Sequence, residues 1–120
     1  MKKLLTLTVM LFTVIAFAQD KNARKTIEVD GICGMCKERI EKAAIRTKGV
    51  KSGIWSVKTH ELKLIFDERK TDLETISKKL ASVGHDTKII KATEEQYNSV
   101  HPCCRYRDDD VKKDHENEEN

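Results

Sequence analysis

Hydrophobic and polar positions alternate with a period of two from Lys25 to Asp30, where Ile27 and Val29 point one way and Thr26 and Glu28 the other. That pattern predicts a strand, which Gly31 ends. The period then lengthens. Cys36, Ile40, Ala43, Ala44 and Thr47 share one helical face, with Lys37, Glu38, Arg39, Glu41 and Lys42 mostly on the other, and Lys48-Gly49 supplies a cationic last turn and a stop. Val50 to Val57 and Leu62 to Asp67 predict the two strands of a hairpin joined near Lys58 to Glu61. Thr71-Asp72-Leu73-Glu74 reads as a capping box, the Thr71 hydroxyl and Glu74 carboxylate satisfying amides at a helix start. Leu73, Ile76, Leu80 and Val83 recur at helical spacing until Gly84, and Thr87 to Lys91, with Ile89 and Ile90, predicts a short last strand.

The order β-α-β-β-α-β over residues 25–92 predicts an α+β, ferredoxin-like fold: a four-stranded antiparallel sheet with two helices on one face. Trp55, Phe66 and the aliphatic stripes then belong to the single hydrophobic layer or the sheet's outer face, without a ligand role. Residues 19–24 form a flexible lead and residues 93–107 a cysteine-containing extension. Residues 108–120 hold seven acidic against two basic residues. Such a tail is too poor in apolar residues to pack and is expected to be disordered.

Composition and targeting narrow the setting. Lys2 and Lys3 precede an apolar run from Leu4 to Phe17 that ends in Ala16-Phe17-Ala18, the pattern of a secretory signal peptide over residues 1–18. The run is shorter than the roughly 20 residues that a membrane-spanning helix needs. A periplasmic or secreted protein is expected. The chain is 120 residues long with a formal net charge of +3, and its basic residues are dispersed and not interleaved with aromatics, which speaks against nucleic acid as a partner.

Four cysteines in a small exported domain first suggest disulfides. These fall as two tight pairs, Cys33 with Cys36 and Cys103 with Cys104. A bridge within either pair closes only a tiny loop and stabilises little, so chemistry explains them better than stapling. The C-x-x-C of Gly31-Ile32-Cys33-Gly34-Met35-Cys36 sits where the first strand hands over to the first helix. Two thiolates at such a turn converge on one ion, and thiolates select soft metals such as Cu(I), with zinc the common competitor. The helix N-terminus and Lys37 are expected to ease ionisation of Cys36. Two ligands suit a linear ion and are too few for structural zinc.

From Thr26 to Lys91 the chain resembles the heavy-metal-associated domains found in copper chaperones, in the N-terminal modules of metal-pumping P-type ATPases and in periplasmic mercury-binding proteins. The resemblance rests on the Cys33/Cys36 pair, Gly49-Val50 after the first helix, the third strand ending in Phe66-Asp67, and Val83-Gly84-His85 after the second helix. It implies that Cys33 and Cys36 ligate one metal ion, passed to a partner by ligand exchange without covalent catalysis. A membrane metal transporter or another metal-binding domain would be that partner, and the protein would be a monomer and not an enzyme. The family usually reads G-M-x-C-x-x-C; here the loop is one residue shorter, and Ile32 stands in for the packed methionine. Ile32 also occupies the place where zinc-selective members tend to carry aspartate, which favours Cu(I) or Hg(II) over Zn(II), although a carboxylate could still approach from Asp30.

Further ligand candidates are His85, in the loop beside the metal loop, and Met35 within the pair, whose alternative role is an apolar filler. His101, Cys103 and Cys104 leave three readings open: a second soft-metal site, extra ligands folded back onto Cys33 and Cys36, or a redox pair. His115 is read as part of a solvated tail. The rival function is a thiol-disulfide redox protein, since C-x-x-C at a helix N-terminus is also redox geometry; against it, Pro102 is the only proline and no thioredoxin-like cis-proline is at hand. A metal-sensing module is a third reading.

Overall fold

The computed structural model describes residues 19–100 and 104–118, and side chains as far as Lys113. The expected signal peptide, and His101 and Cys103, lie outside the described residues. Among the described residues there are three strands, β1 (Ala23–Glu28), β2 (Val50–Trp55) and β3 (Glu61–Phe66), and four helices, α1 (Gly34–Arg46), α2 (Leu73–Ser82), α3 (Glu94–Asn98) and α4 (Asp109–Glu118), and the expected β-α-β-β-α order holds as far as α2. The strands are antiparallel in the order β1-β3-β2. β3 runs between the other two and buries Leu62, Leu64 and Phe66, the alternate positions that its period of two picks out.

α1 and α2 cover one face of this sheet. Cys36, Ile40, Ala43 and Ala44 of α1 and Ile76 and Leu80 of α2 meet Val29, Trp55, Leu62, Leu64 and Phe66 in a single core. A core this small depends on each large side chain: truncating one to alanine typically costs about 2 to 5 kcal/mol. Ile54, next to Trp55 on β2, points away from the core and is well exposed. Gly49 and Gly84 end α1 and α2 with φ of 95° each, a left-handed conformation that suits glycine.

Three local expectations change. The place of a fourth strand beside β1 is held by one isolated bridge, Val29 to Thr87. Thr87 explains why no strand continues: its hydroxyl accepts from the Ile89 and Ile90 amides at 3.2 and 3.0 Å, and its own amide donates to the Ile90 carbonyl at 2.9 Å. The chain therefore turns, a side-chain-to-backbone alternative to the ladder. The cap of α2 is Asp72 and not Thr71. Asp72 Oδ1 accepts from the Thr75 amide at 2.7 Å, while Glu74 pairs with Lys78 at 3.1 Å. The Thr71 amide is taken by the Asp67 carbonyl, and the Thr71 hydroxyl is buried with no hydrogen-bond partner. A reciprocal capping box does form, but at α3, between Thr93 and Gln96. Finally, the acidic tail holds a helix, Asp109–Glu118; Asp109 and Asp110 lie in its first turn, where carboxylates complement the helix dipole.

The extension packs on the domain. Val100, Cys104, Tyr97 and Tyr106 are buried, and Val100 and Cys104 join the same core as Ile40 and Leu80. Among the described residues no helix is long and apolar enough to cross a membrane.

Candidate metal centre

The chain between β1 and α1 is positioned from below by Trp55. Its indole Nε1 donates to the carbonyls of Val29 at 3.0 Å and His60 at 3.2 Å, and its ring is fully buried and stacked on His60. A Cβ added at Gly31 would lie 2.9 Å from the Trp55 ring and 3.1 Å from Cys36 Cβ, so only glycine lets the loop sit this close. Ile32 packs against the core beside it, as a stand-in for an apolar anchor should.

Cys33 occupies the N-cap of α1 in extended backbone, and Cys36 lies in the first turn. Their sulfurs are 3.7 Å apart. A third sulfur joins them from the far end of the chain: Cys104 Sγ is 3.5 Å from Cys33 Sγ, and the Cys36 thiol donates to the Cys104 carbonyl across 4.0 Å. The three Sγ atoms lie within 4.8 Å of one another, and among the described residues no other group of His, Cys, Asp or Glu side chains converges in this way. The 3.5 and 3.7 Å separations far exceed the ~2.05 Å of a disulfide bond.

The sulfurs differ electrostatically. Cys33 is half-buried, which raises the cost of its thiolate. The backbone amides of Cys36 and Met35 and the neighbouring thiols of Cys104 and Cys36 outweigh that cost, and its pKa falls below the ordinary thiol value. Cys36 is fully buried, and burial, with Cys33 nearby, raises its pKa. Burial, then the Cys36 and Cys33 sulfurs, push Cys104 up further. The expectation that the helix N-terminus eases ionisation of Cys36 is thus reversed. Cys36 faces the core, whereas Cys33 stands at the cap, where the amides point. Lys37 does not help Cys36 either: its ammonium is held by Glu41 and the Trp55 carbonyl.

A profile of the "heavy-metal-associated domain" matches residues 26–86. The chain belongs to that family. No curated protein sequence matches it. Solved structures of similar fold include the CopZ metallochaperone (23% identity, TM-score 0.52, covering 54% of this chain and 98% of the other). A copper-binding domain from HMA7, a P-type ATPase, matches at 20% identity and TM-score 0.53 over 56% of this chain and 92% of the other. The water-soluble region of the P-type ATPase CopA from Bacillus subtilis matches at 25% identity and TM-score 0.52, over 59% of this chain and 47% of the other. The likeness at these identities establishes the ferredoxin-like fold.

In this heavy-metal-associated domain the other sequence candidates are scattered. His85 is fully buried; its Nδ1 donates to the Asp30 carbonyl at 2.8 Å, so the hydrogen of the neutral ring sits on Nδ1, and it stacks on Tyr106. It stands outside the sulfur cluster, with Nε2 buried and no hydrogen-bond partner. Burial lowers its pKa to about 4, Arg39 lowering it too, against the Asp30 carbonyl and Asp86. Met35 is 47% exposed in the first turn of α1. Asp30 lines an open cleft of about 500 Å³ with Gly31, Ile32, His60, Asp86 and Tyr106, on a side of the loop that none of the cysteines lines.

Sequence reasoning left out the residues that hold Cys104 in place. The Tyr106 hydroxyl donates to the Gly84 carbonyl and accepts from the Asp86 amide, both at 2.9 Å, and Arg107 pairs with Asp86. The Asp86 carbonyl in turn accepts from the Asp30 amide, at 2.9 Å. The extension, the loop after α2 and the metal loop are therefore one hydrogen-bonded platform. A single sequence offers no periodicity that would pair Tyr106-Arg107 with Asp86.

Proposed function

We propose that this protein binds one soft metal ion through the thiolates of Cys33 and Cys36, with Cu(I) the favoured cargo over Hg(II) and Zn(II), and that it acts in metal trafficking or sequestration outside the cytoplasm rather than as an enzyme. The observation that carries it is the pair of sulfurs, 3.7 Å apart, at the start of α1 in a heavy-metal-associated domain. Soft thiolates prefer Cu(I) and Hg(II), and structural zinc takes four ligands. A partly exposed Cys33 with a lowered pKa is the sulfur that meets an incoming ion first. Relatives of this fold include a metallochaperone and soluble parts of P-type ATPases. A membrane metal transporter, or another domain of this kind, is the receiver that suits such a donor. The apolar run behind Lys2-Lys3 supports export.

The test is a titration of the reduced protein with Cu(I), Hg(II) and Zn(II) in competition with chelators of known affinity. One ion per chain is expected, with Cu(I) or Hg(II) bound tightly and Zn(II) weakly. The Cys33→Ser/Cys36→Ser double variant should lose this binding, and undiminished uptake by that variant would overturn the assignment.

A further inference from the structure

Cys104 has an ordinary role available, that of a small buried core residue, and its burial with Val100 and Leu80 fits it. Three observations go beyond that role. Its sulfur faces other sulfurs, 3.5 Å from Cys33 Sγ and grouped with Cys36 Sγ. The spacing is near that of sulfurs sharing an ion: three sulfurs each ~2.3 Å from one ion in a plane are about 4.0 Å apart, whereas two on opposite sides of a linear ion are about 4.6 Å apart. The 3.5 and 3.7 Å seen here are closer to the first arrangement. The backbone on the C-terminal side of Cys104 is also anchored. The Tyr106 hydroxyl bridges Gly84 and Asp86, the Arg107 amide donates to the Tyr97 hydroxyl at 3.1 Å, and the Arg107 guanidinium grips Asp86.

We infer that Cys104 is a third protein ligand, so that the extension closes a trigonal three-sulfur site for a thiophilic ion around the Cys33/Cys36 pair. The inference rests on the metal-binding function proposed above and deepens it. A domain that offers only two thiolates leaves room for a partner's thiolate to add before one of its own departs. Here the chain's own sulfur fills that place from a preorganised mount, which strengthens binding and slows exchange. Transfer then requires Cys104 to leave first. The protein is built to retain its ion, and a receiver must displace the extension as well as compete for the metal.

The experiment compares the full exported chain with Cys104→Ser and Cys33→Ser/Cys36→Ser, each reduced, checked for fold by circular dichroism and loaded with Cu(I) or Hg(II). X-ray absorption reads the number of sulfur neighbours, chelator competition the affinity, and added glutathione the rate of ion removal. Three sulfurs are expected in the wild type and two in Cys104→Ser, with at least tenfold weaker binding and at least tenfold faster removal. Arg107→Ala, which loosens the mount without removing a sulfur, should speed removal severalfold. Unchanged coordination, affinity and removal in Cys104→Ser, or the same losses produced by Cys103→Ser instead, would overturn the third-ligand role while leaving the Cys33/Cys36 site standing. Undiminished binding by the double variant would overturn the site itself, and the two failures are therefore distinct.

Discussion

Arg107 and Asp86, 21 residues apart, meet as a two-pronged ion pair, with Nη2 2.7 Å from Oδ1 and Nε 3.1 Å from Oδ2. The same guanidinium donates to the Ala92 carbonyl at 2.9 Å and lies 4.4 Å above the Tyr97 ring. Asp86 is buried and receives the Ala92 amide as well, at 2.6 Å. This pair is the main polar lock between extension and domain.

Removing the cation leaves a buried carboxylate short of partners. Arg107→Ala should lower stability to urea by roughly 1 to 3 kcal/mol, less than the roughly 3 to 5 kcal/mol of a fully buried pair, because 30% of the Arg107 side chain meets water. Limited proteolysis should cut the extension sooner in the variant. Wild-type stability and cleavage would show that apolar packing alone holds it.

Gly84 combines a left-handed φ of 95° with close approach of the extension: a Cβ there would lie 2.4 Å from Val100 Cγ1 and 2.8 Å from the Gln96 carbonyl oxygen. Gly84→Ala should therefore cost about 2 kcal/mol or more, combining backbone strain with overpacking. The thermal midpoint is the measurement, and a shift under 2 °C would contradict the crowding.

Thiol reactivity should follow the electrostatic order. Brief treatment of the reduced metal-free protein with iodoacetamide at pH 7.5 should label Cys33 at least tenfold faster than Cys36 or Cys104, since Cys33 is more exposed and its pKa is lowered while theirs are raised. Peptide mapping by mass spectrometry reads the order. Equal labelling of Cys33 and Cys36 would contradict the different environments at the cap and the first turn.

The buried neutral His85 makes stability depend on pH in a defined window. Its folded pKa of about 4 lies below the unfolded value of 6.5, so between these values the unfolded chain binds more protons. The contribution is present above pH 6.5 and is lost as pH falls toward 4, by roughly 3 kcal/mol at most for a shift of this size. His85→Gln, compared with wild type by urea unfolding at several pH values, should flatten this part of the profile. Parallel profiles would mean that His85 titrates alike in the folded and the unfolded chain.

What was legible in the sequence followed from periodicity. The alternation in Leu62, Leu64 and Phe66 and the helical stripe from Cys36 to Thr47 each match the buried face. The Cys33/Cys36 pair was legible from its position between a strand and a helix. Less legible was whatever depends on local competition or distant pairing. Thr71 and Asp72 are both good caps, and the choice between them was made by the Asp67 carbonyl holding the Thr71 amide. Ile89 and Ile90 favour a strand, yet the Thr87 hydroxyl turns the chain there. The meeting of Cys104 with Cys33 spans 71 residues, and its cause, the anchoring of Tyr106 and Arg107 on the Gly84–Asp86 loop, has no periodic signature.

Because Val100 and Cys104 sit among the side chains of α1, α2 and the sheet, the family's match at residues 26–86 is smaller than the packed core. A fragment cut at residue 86 or 92 would lose Val100 and Cys104 from the core and uncover the Gly84 turn, and it would part with buried surface that the whole chain uses to stay folded. Dissection of this protein by family boundaries would therefore yield a piece that opens more readily than the intact molecule.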